Sequence, residues 1–209
     1  MQSAIAVIGG TGKAGKYVVE QLVQQQLSFK LLLRNPAAFS LQYPLMEIVQ
    51  GDACNPDDTY TLLRNCHAVI STLGQPQGQP VIFSQAATNI VNAMNALKIH
   101  RYVAVTGLSI DVPGDKKSER VAQLSAYMRQ SFPHIIADKQ KEYEVLKNSN
   151  VDWTLVRVPM IVQTTTSTGV KISEEDCPGD HINAPDLAGF LLQQLADTNY
   201  IRKAPFVAS

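Results

Sequence analysis

Short apolar runs punctuate this chain at fairly even distance. They lie at 4–8 (AIAVI), 29–33 (FKLLL), 46–50 (MEIVQ), 67–72 (HAVIST), 102–106 (YVAVT) and 153–157 (WTLVR). They are brief, rich in β-branched residues and hardly alternate with polar ones, which suits strands buried on both faces. Between them, apolar residues return at helical intervals. Val18, Val19, Leu22 and Val23 follow the first run, and Ile90, Val91, Met94 and Leu97 share one face of a helix over 81–98. Further helices are predicted around 61–64, at 119–131 and 135–148 with a break at Phe132-Pro133, and at 187–196. The last is introduced by Asn183-Ala184-Pro185-Asp186, with proline in the first turn and an acid near the helix start. Two shorter strands are predicted at 170–173 and 205–208.

The first strand runs into the pattern IAVIGGTGKAG at residues 5–15, with Gly9, Gly12 and Gly15 evenly spaced before a helix. Strand, glycine loop and helix in that order are the context of a dinucleotide-binding fingerprint. Gly9 lets the chain turn sharply out of the strand. Gly12 lets a pyrophosphate approach the backbone, and Gly15 brings helix and strand close. The free N–H groups of the helix's first turn then face the phosphates.

The second strand decides which dinucleotide. An acidic residue about 20 positions after the glycines holds the ribose 2′-hydroxyl of NAD. Here Arg34 stands at the strand's end, and no Asp or Glu occurs between Glu20 and Glu47. A guanidinium matches a 2′-phosphate and stacks on adenine, so NADP(H) is expected ahead of NAD(H). Lys13 could add a second positive charge near the phosphates or point to water. Asp52, after the third strand, could accept from the adenine amino group or serve a turn, since Asn55 and Asp57 beside it favour turns and caps. Gly74 would let the backbone pass beneath the ribose and pyrophosphate. Residues 75–80, with two prolines and a glycine, read as an irregular loop at the ligand-binding edge of the strands. The polar stretch 111–120 reads as a loop or flap above the site. The threonine-rich run 164–168 reads as a substrate contact or a mobile polar loop.

Composition narrows the function classes. The 209 residues support one sizeable core and one domain, 1–209. Its substrate side would be formed by 75–80, 108–135 and 160–182. Zero net charge argues against a nucleic-acid partner. Three scattered cysteines without a CxxC read as reduced thiols in a cytoplasmic protein. The four histidines lack metal-ligand spacing, so no metal is expected. No signal peptide and no apolar run of membrane-spanning length is visible.

Several motifs together carry a family likeness: IAVIGGTGKAGKYVVEQL, LLLRNP, VQGDACNPD, AVISTLG, NIVNAMNALKIHRYVAVTG, VDWTLVRVP and HINAPDLAGFLLQQL. The chain resembles an atypical short-chain dehydrogenase/reductase, of the branch with biliverdin reductase B (flavin reductase) and the NmrA-like NAD(P)H-binding proteins. The resemblance implies an α/β, Rossmann-like, doubly wound parallel sheet in three layers. The strand order would be 3-2-1-4-5-6, with room for a seventh strand. It implies cofactor contacts from Gly9, Thr11, Gly12, Lys13, Arg34, Asp52, Ala53, Leu73, Gly74, Thr106, Pro159 and Met160.

The superfamily's catalytic set is a Ser or Thr after the fifth strand and a Tyr-x-x-x-Lys pair on the next long helix. Tyr143 and Lys147 have that spacing, yet Lys147 stands only six residues before Trp153. The superfamily's lysine lies about two turns further upstream, near Lys139, where the residue four earlier is Ile135. The tyrosine therefore reads as lost and Lys139 as retained, with a part in both cofactor binding and catalysis. Ser109 and Tyr127 are the other catalytic candidates. Met160 occupies the place where the biliverdin reductase B type carries a histidine. The expected activity is NADPH-dependent hydride transfer to a flavin-, quinone- or biliverdin-like acceptor, a reaction that asks of the protein chiefly positioning. The alternative is a non-catalytic NADP(H) redox sensor of the NmrA type. A nucleoside-diphosphate-sugar epimerase or dehydratase stands third, because few residues follow position 160. A small-molecule substrate and a monomer or homodimer are expected.

Overall fold

The computed structural model describes residues 3–75, 78 and 81–209. Strands β1 (Ala4–Ile8), β2 (Phe29–Leu33), β3 (Met46–Gln50), β4 (Cys66–Ser71), β5 (Arg101–Gly107) and β6 (Asp152–Val158) are interleaved with helices α1 (Gly15–Gln24), α2 (Pro56–Leu63), α3 (Phe83–Leu97), α4 (Glu119–Ser131) and α5 (Pro133–Lys147). Short strands β7 (Met160–Val162), β8 (Lys171–Ser173) and β9 (His181–Asn183), helix α6 (Ala184–Gln193) and strand β10 (Phe206–Ala208) complete the chain.

The main sheet has the order β3-β2-β1-β4-β5-β6-β10-β8. Its first six strands are parallel and follow the Rossmann order. β10 continues it in parallel, and β8 closes the edge antiparallel to β10. The apolar runs are continuous because helices cover both faces. Along β1, Ala4, Ala6 and Ile8 pack towards α2, α3 and α5, while Ile5 and Val7 pack towards α1 and α6. The pair β7–β9 forms a small separate sheet that no apolar run announced.

Two polar devices lock this framework. Helix α3 lacks a side-chain cap of its own. Asp138 on α5 supplies one from outside, accepting from Phe83 N at 2.8 Å, Ser84 N at 3.2 Å and Ser84 Oγ at 2.5 Å. Arg157 on β6 is fully buried. It donates to both carboxylate oxygens of Asp115, at 2.7 and 2.8 Å, and to Ala204 O, with its guanidinium 3.5 Å from the Phe206 ring centroid.

Those bonds correct two expectations. The 111–120 segment is not a flap above the glycine loop. Lys117 pairs with Asp111 and Asp115, Arg129 with Asp111, and Lys116 with Glu175. The segment is thereby clamped towards the β6–β10–β8 edge, and Val112, Pro113 and Gly114 line a separate hollow beside Tyr143 and Trp153. Nor is the threonine run loose at its end. The Asp186 carboxylate accepts from Ser167 Oγ, from Thr168 N at 3.0 Å and from Gly169 N at 3.2 Å. Burial alone would raise the Asp186 pKa, but these donors hold it below the ordinary carboxylate range. Tyr143 packs edge-on against Trp153 and Lys147 reaches Glu144, so the Tyr-x-x-x-Lys spacing there serves packing.

Candidate cofactor and acceptor site

The C-terminal ends of β1, β4 and β5 open onto two adjoining clefts. The glycine loop is built against β4. Thr72 N donates to Ile8 O at 2.9 Å, Thr72 Oγ1 to Gly9 O at 3.1 Å, and Gly12 N to Gly9 O at 2.9 Å. Gly9 has φ +78°, which a side chain would strain. A Cβ on Gly15 would lie 2.1 Å from Gly9 O and 2.7 Å from Thr72 Oγ1. The loop can therefore fold over the start of α1 only with glycine there. The first turn of α1 has no side-chain cap among the described residues. Lys16 N donates to Gly12 O at 3.2 Å and Tyr17 N to Ala14 O at 3.1 Å, so what the helix start offers an anion is chiefly the positive end of its dipole. Gly15→Ala is expected to cost about 1–3 kcal/mol or more of stability and to weaken NADPH binding at least about tenfold, checked by urea unfolding and calorimetric titration.

The first cleft, about 300 Å³, runs from this loop to the end of β2. Arg34 stands exposed at its far end with Asp52 and Ala53. Asp52 Oδ1 accepts from Cys54 N at 2.8 Å, so its carboxylate serves the turn while the residue lines the cleft. Asn55 caps α2 through Asp57 N and Asp58 N. A Cβ on Gly74 would meet no described atom within 4 Å. That side of Gly74 is open among the described residues. An uncapped helix start, a glycine-lined floor and a cation at the adenosine end fit a dinucleotide phosphate.

The second cleft, about 490 Å³, shares Gly12, Thr72, Leu73, Gly74 and Gln75 with the first. Its walls are largely apolar: Val105, Val158, Pro159, Met160 and Ile161. Met160 at the mouth is 68% exposed, unusual for so large an apolar side chain. Two polar groups meet inside. Lys139 Nζ lies 3.5 Å from Thr106 Oγ1 and 3.9 Å from the Phe83 ring centroid. Burial pushes the Lys139 ammonium below its ordinary pKa, against the pull of the Glu142 and Asp138 carboxylates. Glu142, one turn on along α5, is buried too. Burial raises its carboxyl to about 7 and Asp138 adds to the rise, while Lys139 opposes it.

Thus Gly9, Thr11, Gly12, Lys13, Arg34, Asp52, Ala53, Leu73, Gly74, Thr106, Lys139, Pro159 and Met160 all line one or other cleft. Gly15 lies just behind the loop. Ser109 and Tyr127 line neither. Ser109 is buried, with its carbonyl accepting from Arg129 at 3.0 Å, and Tyr127 is exposed on α4. Of the loop expected at 75–80, Gln75 lines both clefts, while Pro76, Gln77, Gln79 and Pro80 lie outside the described residues. Thr72, Phe83, Asp138 and Glu142 were not legible as site residues. Asp138 and Glu142 flank Lys139 at one residue before and three after, a spacing visible in the sequence, but their burial was not.

The model of a family described as NAD(P)H-binding matches residues 9–198. The chain belongs to this NAD(P)H-binding family. NAD(P)H is accordingly its cofactor, and its fold is that of an atypical short-chain dehydrogenase/reductase. A short-chain dehydrogenase/reductase from Veillonella parvula in complex with NADP superposes with a TM-score of 0.81 at 16% identity, over 100% of this chain and 95% of that one. The anaerobillin reductase ChuY of Escherichia coli O157:H7 superposes with a TM-score of 0.80 at 18% identity, over 98% and 96%. Among curated proteins, the photosystem II assembly factor Ycf39 of Cyanophora paradoxa is 23% identical over 92% of this chain. The chain spans 59% of that relative's length. No described helix is long and apolar enough to cross a membrane.

Proposed function

We propose that this protein is an NADPH-dependent reductase acting on a small conjugated acceptor, flavin-, quinone- or biliverdin-like. The observation that carries the reading is the apolar second cleft, continuous with the dinucleotide groove and holding Lys139 on its wall. Bound NADPH supplies the hydride. The chain's own residues bind and orient. The glycine loop and the α1 start take the pyrophosphate, Arg34 takes the 2′-phosphate, and Val158, Pro159 and Met160 offer an apolar flank to a flat acceptor. Lys139, steadied by Thr106 and Phe83, holds a proton where the reduced acceptor needs one. Three free cysteines suit the cytoplasm, where thiols stay reduced.

The test is NADPH oxidation dependent on added flavins, quinones and biliverdin, read at the nicotinamide absorbance. Arg34→Ala is expected to weaken NADPH binding about 10–100-fold, the loss of one or two hydrogen bonds to a charged group, and to leave NADH binding unchanged. Equal loss for both cofactors would remove the 2′-phosphate role. A second reading, a redox sensor of the NmrA type, is favoured by one observation. No tyrosine stands four residues before Lys139, and neither Ser109 nor Tyr127 reaches the cleft. A sensor binds NADP(H) tightly yet oxidises none across the acceptor panel.

A further inference from the structure

Beside the Asp115–Arg157 clamp lies a hollow of about 370 Å³ that shares no lining residue with the two clefts. That is room for a small organic molecule. Its apolar wall is formed by Val112, Pro113, Ala204 and the rings of Tyr143 and Trp153, which meet edge to face.

The first pointer to an occupant is a donor without an acceptor. Tyr143 is 4% exposed, yet its hydroxyl makes no hydrogen bond among the described residues. Burial raises its pKa, so the hydroxyl keeps its proton and is a donor at neutral pH. Trp153 is 3% exposed, and its Nε1 also has no partner among the described residues. Interior donors left in this state are costly and call for an explanation. The second pointer is a cation without an anion. The carboxylates around the hollow are each paired: Asp115 with Arg157, Glu174 with Lys203, and Glu175 with Lys116. Arg202 is held differently. Its Nη1 donates to Ser149 O at 2.7 Å and Val151 O at 3.4 Å, and its Nη2 to Lys147 O at 2.9 Å. These backbone carbonyls fix the side chain and leave its charge unmatched among the described residues. They also leave part of the guanidinium's N–H set free, and a carboxylate's two oxygens suit that set.

We infer that this hollow is a second ligand site, which binds a small organic carboxylate with an apolar body. Arg202 takes the carboxylate, Tyr143 donates its hydroxyl to it, and the body lies against Trp153, Val112 and Pro113. A bare inorganic anion would match the charge and leave the apolar wall uncovered. The site stands apart from the cofactor clefts, and the inference does not depend on the reductase reading. Tyr143 comes one turn after Lys139 on α5, so an occupant touches the helix that also lines the second cleft.

Trp153 is the only tryptophan of the chain, so its fluorescence and its indole N–H resonance report on this hollow. The full-length protein is titrated with 3-phenylpropionate, with 3-phenylpropan-1-ol as the uncharged counterpart and sodium sulfate as the bare anion. Both tryptophan signals should move saturably with the acid, with a Kd of about 1 mM or below. The alcohol should bind at least about tenfold more weakly. Tyr143→Phe removes the hydroxyl, and Arg202→Lys keeps the charge without the planar fork. Each should weaken the acid about tenfold, with NADPH affinity by calorimetry unchanged. Saturating NADPH should leave the acid's affinity unchanged, read by the indole resonance. No saturable movement of either signal overturns the site, and an equal response to the alcohol or to sulfate overturns the carboxylate assignment. Displacement by NADPH would put the acid in the cofactor clefts and overturn the separate site. If Arg202→Lys does not fold, Tyr143→Phe decides: unchanged affinity for the acid overturns the proposal.

Discussion

Lys139→Met is expected to lower acceptor-dependent NADPH oxidation about 10²–10⁴-fold, the contribution typical of a placed general acid. NADPH affinity should change no more than about tenfold, because the phosphates and adenosine are held elsewhere. Besides Lys13, Thr72 and Gln75, the polar side chains lining the second cleft are Lys139 and Thr106, 3.5 Å apart. Methionine keeps the length and the contact with Phe83 while removing the proton. Steady-state kinetics with the best acceptor, beside calorimetric titration with NADPH, separates the two effects. A tenfold loss of affinity with unchanged kcat would make Lys139 a ribose contact only. Oxidation unchanged in both parameters would take Lys139 out of the chemistry altogether.

Asp115→Ala is expected to cost about 3–5 kcal/mol, the usual consequence of removing one partner of a buried ion pair. That corresponds to a fall in Tm of about 6–20 °C for a chain of this size. Arg157 is wholly shielded from water, and Asp115 takes both of the Nη1 bonds. Burial already pulls the Arg157 pKa downwards, and the Asp115 carboxylate opposes the pull. Without it, Ala204 O and Glu174 O remain as acceptors but no counter-charge does. Segment 111–117 would also lose one of its attachments to the β6–β10–β8 edge, keeping the Lys116–Glu175 pair. NADPH affinity should be unaffected in the folded fraction, because this segment lines neither cleft. Thermal and urea unfolding measure the effect. A loss below about 1 kcal/mol would place the pair among those whose desolvation and attraction cancel.

The two variants mark different kinds of information in one motif. WTLVR was recognisable as a strand and as a family signature. That its arginine is an internal clamp for a segment 42 residues earlier could not be read from it. The same segment, polar and charged, looked like a surface flap because each charge was seen without its partner. Lys139 is the opposite case. Its distance from β6 marked it without any structure, and the cleft it lines agrees with that placement. Ser109 was singled out by its position after β5, yet the hydroxyl beside Lys139 belongs to Thr106, three residues earlier.

By itself the sequence determined the βα alternation, the six-strand order through its family likeness, the dinucleotide loop and about half of the residues that line the two clefts. These are local properties: a glycine where the backbone must turn, an unbroken apolar run where two faces are covered, a cation at a strand end. Tertiary structure alone decided the β7–β9 pair, the extension of the sheet through β10 and β8, the clamp at Asp115 and the burial of Glu142 beside Lys139. Each depends on partners far apart in the chain. A charge's meaning is set by whether water or another charge surrounds it, and only the folded molecule fixes that.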